Sequence, residues 1–177
     1  MNVNVDVFCG RENFSVSEEE IAAVVACLRE SAPWKFPAGT LSVAFLGDDE
    51  ICRMHEEFLS DPSKTDVITF PGDDVFSEPR LRLIPGEGGP DNLESDEDAF
   101  AGEICVCVDQ AMRIAKELNI APADELLLYL VHGWLHLAGL DDIEERDRRA
   151  MREAEALVLD LLRAHGLSPL RSAAFPQ

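Results

Sequence analysis

Apolar and polar positions alternate along the chain with two periods. Val3, Val5 and Val7 recur at every second residue and predict a first strand. Ile21, Val24, Val25 and Leu28 recur every three or four residues and predict a helix from Ser17 to about Glu30. Ser17 and Glu20 stand at capping-box spacing at its start. Pro33 and Pro37 bracket a loop, and Thr40 to Leu46 reads as a second strand closed by Gly47. Asp48 is placed to cap a helix reaching about Phe58, and Asp61-Pro62 marks a turn. Val67 to Phe70 predicts a short third strand ended by Pro71, and Glu103 to Val108 a fourth. Asp109 is placed to cap a helix to about Leu118, and Pro122 to open another that runs through His132 and His136. A last helix is expected from Ile143 to about His165, before Gly166.

Four strands interleaved with five helices predict a small α/β or α+β layered domain over residues 1–170. The helix opened by Pro122 is apolar nearly all round and is expected at its centre. Residues 72–100 combine acids with glycines and prolines and predict an acidic loop insert; residues 171–177 are expected to form a loose tail.

The central helix also carries the candidate chemistry. It ends in His132-Gly133-Trp134-Leu135-His136-Leu137-Ala138-Gly139-Leu140-Asp141-Asp142. His132 and His136 lie one helical turn apart on one face, so both imidazoles can grip one ion. Gly139 lets the chain reverse, and Asp142 follows as a third ligand. The spacing matches the zinc-protease pattern H-E-x-x-H-x-x-G-x-x-H with two changes. Gly133 replaces the glutamate that serves as general base, so the usual route to peptide hydrolysis is missing. Asp142 replaces the third histidine. A second reading of Asp142 stays open, as the amino-terminal cap of the last helix with Glu145 as box partner.

Charge narrows the partners. The formal net charge is −20, which argues against a nucleic-acid ligand, because phosphate binding normally requires a basic face. Much of that acid lies in the insert, and Arg146, Arg148, Arg149 and Arg152 cluster just after the histidine motif. Those arginines read as a solvated face paired with Glu144, Glu145, Asp147, Glu153 and Glu155, or alternatively as phosphate contacts. No apolar run reaches the ~20 residues of a membrane span. The five cysteines form no Cys-x-x-Cys pair, and the first residues lack the regions of a signal peptide, so reduced thiols and a cytoplasmic location are expected.

These residues resemble the YbeY family of metal-dependent single-strand endoribonucleases. Its motif H-G-x-L-H-L-x-G-Y-D-H is met by His132, Gly133, Leu135, His136, Leu137, Gly139 and Asp141. Its block P-T-D-V-L-S-F-P is similar to Lys64-Thr65-Asp66-Val67-Ile68-Thr69-Phe70-Pro71, and L-G-D-I-x-I-S to Ala101-Gly102-Glu103-Ile104-Cys105-Val106-Cys107. The resemblance implies a single zincin-like α+β domain with a mixed four-stranded sheet. It implies one Zn²⁺ ion, for which His132, His136 and Asp142 are the candidate ligands. Lys64, Thr65 and Asp66 are the candidate substrate-binding residues; Thr65 and Asp66 read equally as a turn leading into the third strand. It implies single-stranded ribosomal RNA as substrate, maturation of the small-subunit 3′ end, ribosome quality control, and the small ribosomal subunit as partner in the cytoplasm.

The chain departs from the family at two positions. The family's third histidine is Asp142 here, and a harder ligand set also admits Mn²⁺ or Fe²⁺. The family arginine six positions before the block threonine is Leu59 here, with Lys64 and Arg53 as nearby cations. Glu103 and Asp141 are the candidate proton acceptors, on condition that the fold brings them to the ion; Asp141 is also a candidate to orient a histidine. Two other functions stay open: a ribosome-assembly factor with a structural metal, and a metal hydrolase acting on a peptide or small ester.

Overall fold

The computed structural model describes residues 4–60, 63–72 and 99–176. Val3, the Asp61-Pro62 turn and the bulk of the acidic insert lie outside them. The elements run β1 (Val5–Cys9), α1 (Glu18–Ser31), β2 (Thr40–Leu46), α2 (Asp48–Leu59), β3 (Val67–Pro71), β4 (Phe100–Cys107), α3 (Val108–Leu118), α4 (Pro122–Leu137) and α5 (Glu145–Ala164). The sheet has the order β1-β2-β4-β3; β1, β2 and β4 are parallel and β3 runs antiparallel to β4 at one edge. Among the described residues this is the α+β fold with a mixed four-stranded sheet and five helices.

Strand alternation sorts side chains to two faces. Leu41, Val43, Phe45, Ile104 and Val106 join the large core with α1, α3, α4 and α5. Ala44, Leu46, Cys105 and Cys107 point the other way, against Ile51 and Met54 of α2. Burial pushes the Cys105 and Cys107 thiols up to about 12, so both stay protonated. In α4, Leu126, Leu127, Leu130, Val131, Trp134 and Leu135 are fully buried. α4 packs on the sheet so closely that a Cβ at Gly133 would lie 2.6 Å from Ile104 Cγ2 and 2.9 Å from Val67 Cγ2. A glutamate side chain therefore has no room at this position, which explains why the protease pattern is broken there.

Several caps are arranged differently from expectation. Asp48 is the first residue of α2 rather than its cap. The Asp48 amide donates to Asp109 Oδ2 at 3.0 Å, so a carboxylate from α3 caps α2. Asp48 instead accepts two bonds from Arg113, at 2.6 and 2.8 Å, and one from Lys64 at 2.7 Å. Ser17 Oγ accepts from the Glu20 amide as expected, yet Glu20 does not close the box. Its carboxylate accepts from the Arg171 and Ser172 amides at 2.8 and 3.0 Å. Ser15 and Ala174 pair through their backbones, and Leu170 is buried. The tail expected to be loose is thus held through residue 174, because α1 offers it a carboxylate and the core an apolar seat. β4 also begins three residues before the expected Glu103, with Gly102 at φ +145°.

Candidate metal centre

The end of α4 is shaped by its glycine. Gly139 adopts φ +97°, a conformation that glycine alone enters without strain. Its amide donates to His136 O at 2.9 Å and the Leu140 amide to Leu135 O at 3.0 Å, the two bonds of a Schellman stop. The turn brings Leu140 O back over the last turn, where it accepts from His136 Nδ1 at 3.0 Å. Asp141 Oδ1 then accepts from the Asp142 and Ile143 amides at 2.7 and 3.3 Å. Those amides are held in the loop, so α5 starts at Glu145 with Glu144 as its cap. The cap role considered for Asp142 is not adopted, and its carboxylate is directed at the histidines.

His132, His136 and Asp142 offer ligand atoms that all lie within 4.8 Å of one another. The two Nε2 atoms are 3.0 Å apart. Asp142 Oδ2 is 3.7 Å from His132 Nε2, and Oδ1 is 3.8 Å from His136 Nε2. A tetrahedral ion with bonds of about 2.0–2.2 Å holds its ligand atoms about 3.3–3.6 Å apart; the Nε2 pair is somewhat closer than that, and each histidine approaches a different Asp142 oxygen at slightly more.

The tautomers support the same reading. His132 Nδ1 faces Glu155 Oε1 at 2.6 Å and His136 Nδ1 faces a carbonyl, so both Nδ1 atoms must donate. In the neutral rings both Nε2 atoms are then bare acceptors pointed at each other 3.0 Å apart, an arrangement that a shared proton or a metal cation resolves. Burial draws the His132 pKa down, but the Glu155 hydrogen bond and the charges of Glu155, Asp66 and Asp142 outweigh it and raise it above its ordinary value. The side chains of His132, His136 and Asp142 are 15%, 24% and 41% exposed, so the group opens to solvent on the Asp142 side.

The remaining sequence candidates fall in different places. Asp66 is half-buried and acts on His132 through its charge; its Oδ1 accepts from the Val67 amide at 2.9 Å and from Thr65 Oγ1 at 3.2 Å. Lys64 is turned to Asp48. Glu103 shares its side of β4 with Cys105 and Cys107, opposite α4, and accepts from Ser42 Oγ at 3.0 Å. The condition for a proton-accepting Glu103 is therefore not met. Asp141 Oδ1 is occupied by backbone amides, and the groups that orient the histidines are Leu140 O and Glu155. Glu155 was expected to face the arginines of its own helix. It recurs at helical spacing with the buried Met151 and Val158, and that periodicity was the signal that it turns inward.

Fold and site together define a small α+β domain with a two-histidine, one-carboxylate centre of the kind used by single-ion hydrolases. The family profile described as Endoribonuclease YbeY matches residues 9–163, and the chain belongs to this family. Relatives carrying that name include one from Protochlamydia amoebophila, 36% identical over 115 residues, which are 65% of this chain and 65% of the relative. One from Kineococcus radiotolerans is 35% identical over 65% of this chain and 60% of its own length. One from Mycobacterium sp. (strain KMS) is 32% identical over 85% of this chain and 78% of its own. The first two alignments thus span less than two thirds of those relatives. The solution structure of TM1509 from Thermotoga maritima shares the fold, with a TM-score of 0.53 and 23% identity over 93% of each chain. No helix among the described residues is long and apolar enough to cross a membrane.

Proposed function

We propose that this chain is a metal-dependent endoribonuclease for single-stranded RNA, acting in 3′-end maturation of small-subunit ribosomal RNA and in ribosome quality control. Its setting is the cytoplasm and its partner the small ribosomal subunit. The observation that carries the reading is the pair of Nε2 acceptors 3.0 Å apart beneath the Asp142 carboxylate. His132, His136 and Asp142 would hold the ion, with Zn²⁺ the best fit to two imidazoles and Mn²⁺ or Fe²⁺ admitted by the carboxylate. When bound, such an ion polarises a phosphate oxygen and acidifies water.

The chain's own residues prepare that chemistry. Glu155 and Leu140 O hold the protons on the two Nδ1 atoms, which turns both Nε2 lone pairs inward. Asp142 supplies the charge of the open side. Lys64, Thr65 and Asp66 lead into edge strand β3, whose Val67 and Thr69 lie against Gly133 between the histidines. Thr65 and Asp66 form the wall along which a strand of RNA would lie, while Lys64 is turned to Asp48.

The test offers the zinc-loaded protein a single-stranded RNA, the same RNA in duplex, and a chromogenic ester. Cleavage of the single strand alone supports the proposal. Ester hydrolysis without RNA cleavage favours another hydrolase. Ribosome binding that survives His136→Ala, with no cleavage of any substrate, favours the assembly factor.

A further inference from the structure

We propose that Arg148 and Arg152 form the phosphate-contacting rim of this metal cleft, so that RNA enters along one flank of α5. The inference rests on the RNA reading above. Arg148, Arg152 and Glu155 recur at spacings of four and three and so share one flank of α5. Glu155 on that flank reaches His132 at 2.6 Å, which fixes the flank as the one turned to the metal ligands. Arg148 Nη1 donates to Asp142 O at 3.3 Å and to Ile143 O, so its guanidinium lies beside the third ligand.

These arginines are not occupied elsewhere. All four of Arg146, Arg148, Arg149 and Arg152 are exposed, and among the described residues none forms an ion pair, although five acids lie within the same stretch. The expected solvated network of paired charges is absent there. Arg148 spends one nitrogen on the loop and keeps its remaining donors for a ligand. Arg152 makes no hydrogen bond among the described residues.

Helix stability does not explain the placement. The amino-terminal end of a helix is its positive pole, and like charges four apart repel. Arg148 is the fourth and Arg152 the eighth residue of α5, with that spacing. A locally unfavourable arrangement beside a site is what a functional constraint produces. In a chain of net charge −20, a polyanion can approach only where cations are concentrated, and a phosphate is the ligand that guanidinium forks fit best. The contact is to the backbone, so it carries no base preference.

The test measures binding of a short fluorescent 2′-O-methyl polyuridine strand to the zinc-loaded protein from about 0.05 to about 0.3 M salt. Each phosphate neutralised on a single strand adds a slope of about 0.7 in log affinity against log salt, which is about fivefold at 0.1 M. Arg152→Ala is expected to lose about fivefold in affinity and about 0.7 of slope, and the double variant with Arg148→Ala about twice that slope. Zinc content should be unchanged in Arg152→Ala, which touches no part of the ligand loop. Arg163→Ala, at the far end of α5 and paired with Asp160, is the control and should bind as wild type. Wild-type affinity and slope in the double variant would overturn this inference alone. A wild-type protein that binds no single-stranded RNA would overturn the RNA reading and this inference with it.

Discussion

Replacing Glu155 tests how the centre is held. Its Oε1 sits 2.6 Å from His132 Nδ1, and the two side chains are 17% and 15% exposed, so solvent cannot substitute freely for either partner. A charge-assisted bond of this kind contributes about 1.5–3 kcal/mol. Loss of the partner that orients a metal-bound histidine lowers affinity about 10–100-fold, or about 1.4–2.7 kcal/mol, in the same range. Glu155→Ala is therefore expected to weaken zinc binding by one to two orders of magnitude. Glu155→Gln keeps an oxygen acceptor for the Nδ1 proton but loses the charge, and should fall between. Competition against a chelator of known affinity at fixed pH measures this directly. Thermal unfolding with and without zinc separates orientation from packing, because a lost orienter reduces the stabilisation that zinc confers. Glu155→Ala that binds zinc like wild type would refute the reasoning, as would a stability loss identical with and without the ion.

Gly133→Ala places a methyl within 2.6 Å of Ile104 Cγ2 and should destabilise the fold by about 1–3 kcal/mol in denaturant unfolding. Arg113→Ala removes the bidentate partner that, with Lys64 and Cys107, holds the Asp48 carboxyl well below the usual carboxylate range. A depressed carboxylate stabilises above its unfolded pKa of about 3.9 and loses that contribution as pH falls. The variant should therefore be less stable than wild type by about 1–3 kcal/mol at neutral pH, with the gap closing below about pH 4. In metal-free protein the raised His132 pKa contributes stability that is full below about 6.5 and lost as pH rises through the folded value. Glu155→Ala should remove most of that dependence, followed by histidine NMR and unfolding against pH.

The element order was legible because the elements carry a period or a bounded apolar run: β1 alternates, α1 repeats at three and four, and β2 is an apolar run closed by Gly47. The His132–His136 pair was legible for the same reason, since i and i+4 on a helix always share a face. Tertiary partners were not. Glu20, Asp48 and Asp109 each stand in the first turn of a helix where a local capping role was expected, yet each carboxylate serves a group distant in sequence. A local cap competes with any remote donor that packing delivers, and packing decided all three. Asp142 was ambiguous between cap and ligand until Asp141 took the loop amides. Glu155 was hidden among charges on an exposed-looking helix. Only the docking of α5 on α4 identifies it as the partner of His132.

The central claim is that one ion on His132, His136 and Asp142 carries RNA cleavage. The direct measurement titrates metal-free protein with zinc and records, on the same samples, ion occupancy and the initial rate of single-stranded RNA cleavage. Cleavage should rise in proportion to occupancy, saturate at one ion per chain, and vanish with the ion in His136→Ala and Asp142→Ala. Cleavage that is already full without zinc, or none at full occupancy, would contradict the account.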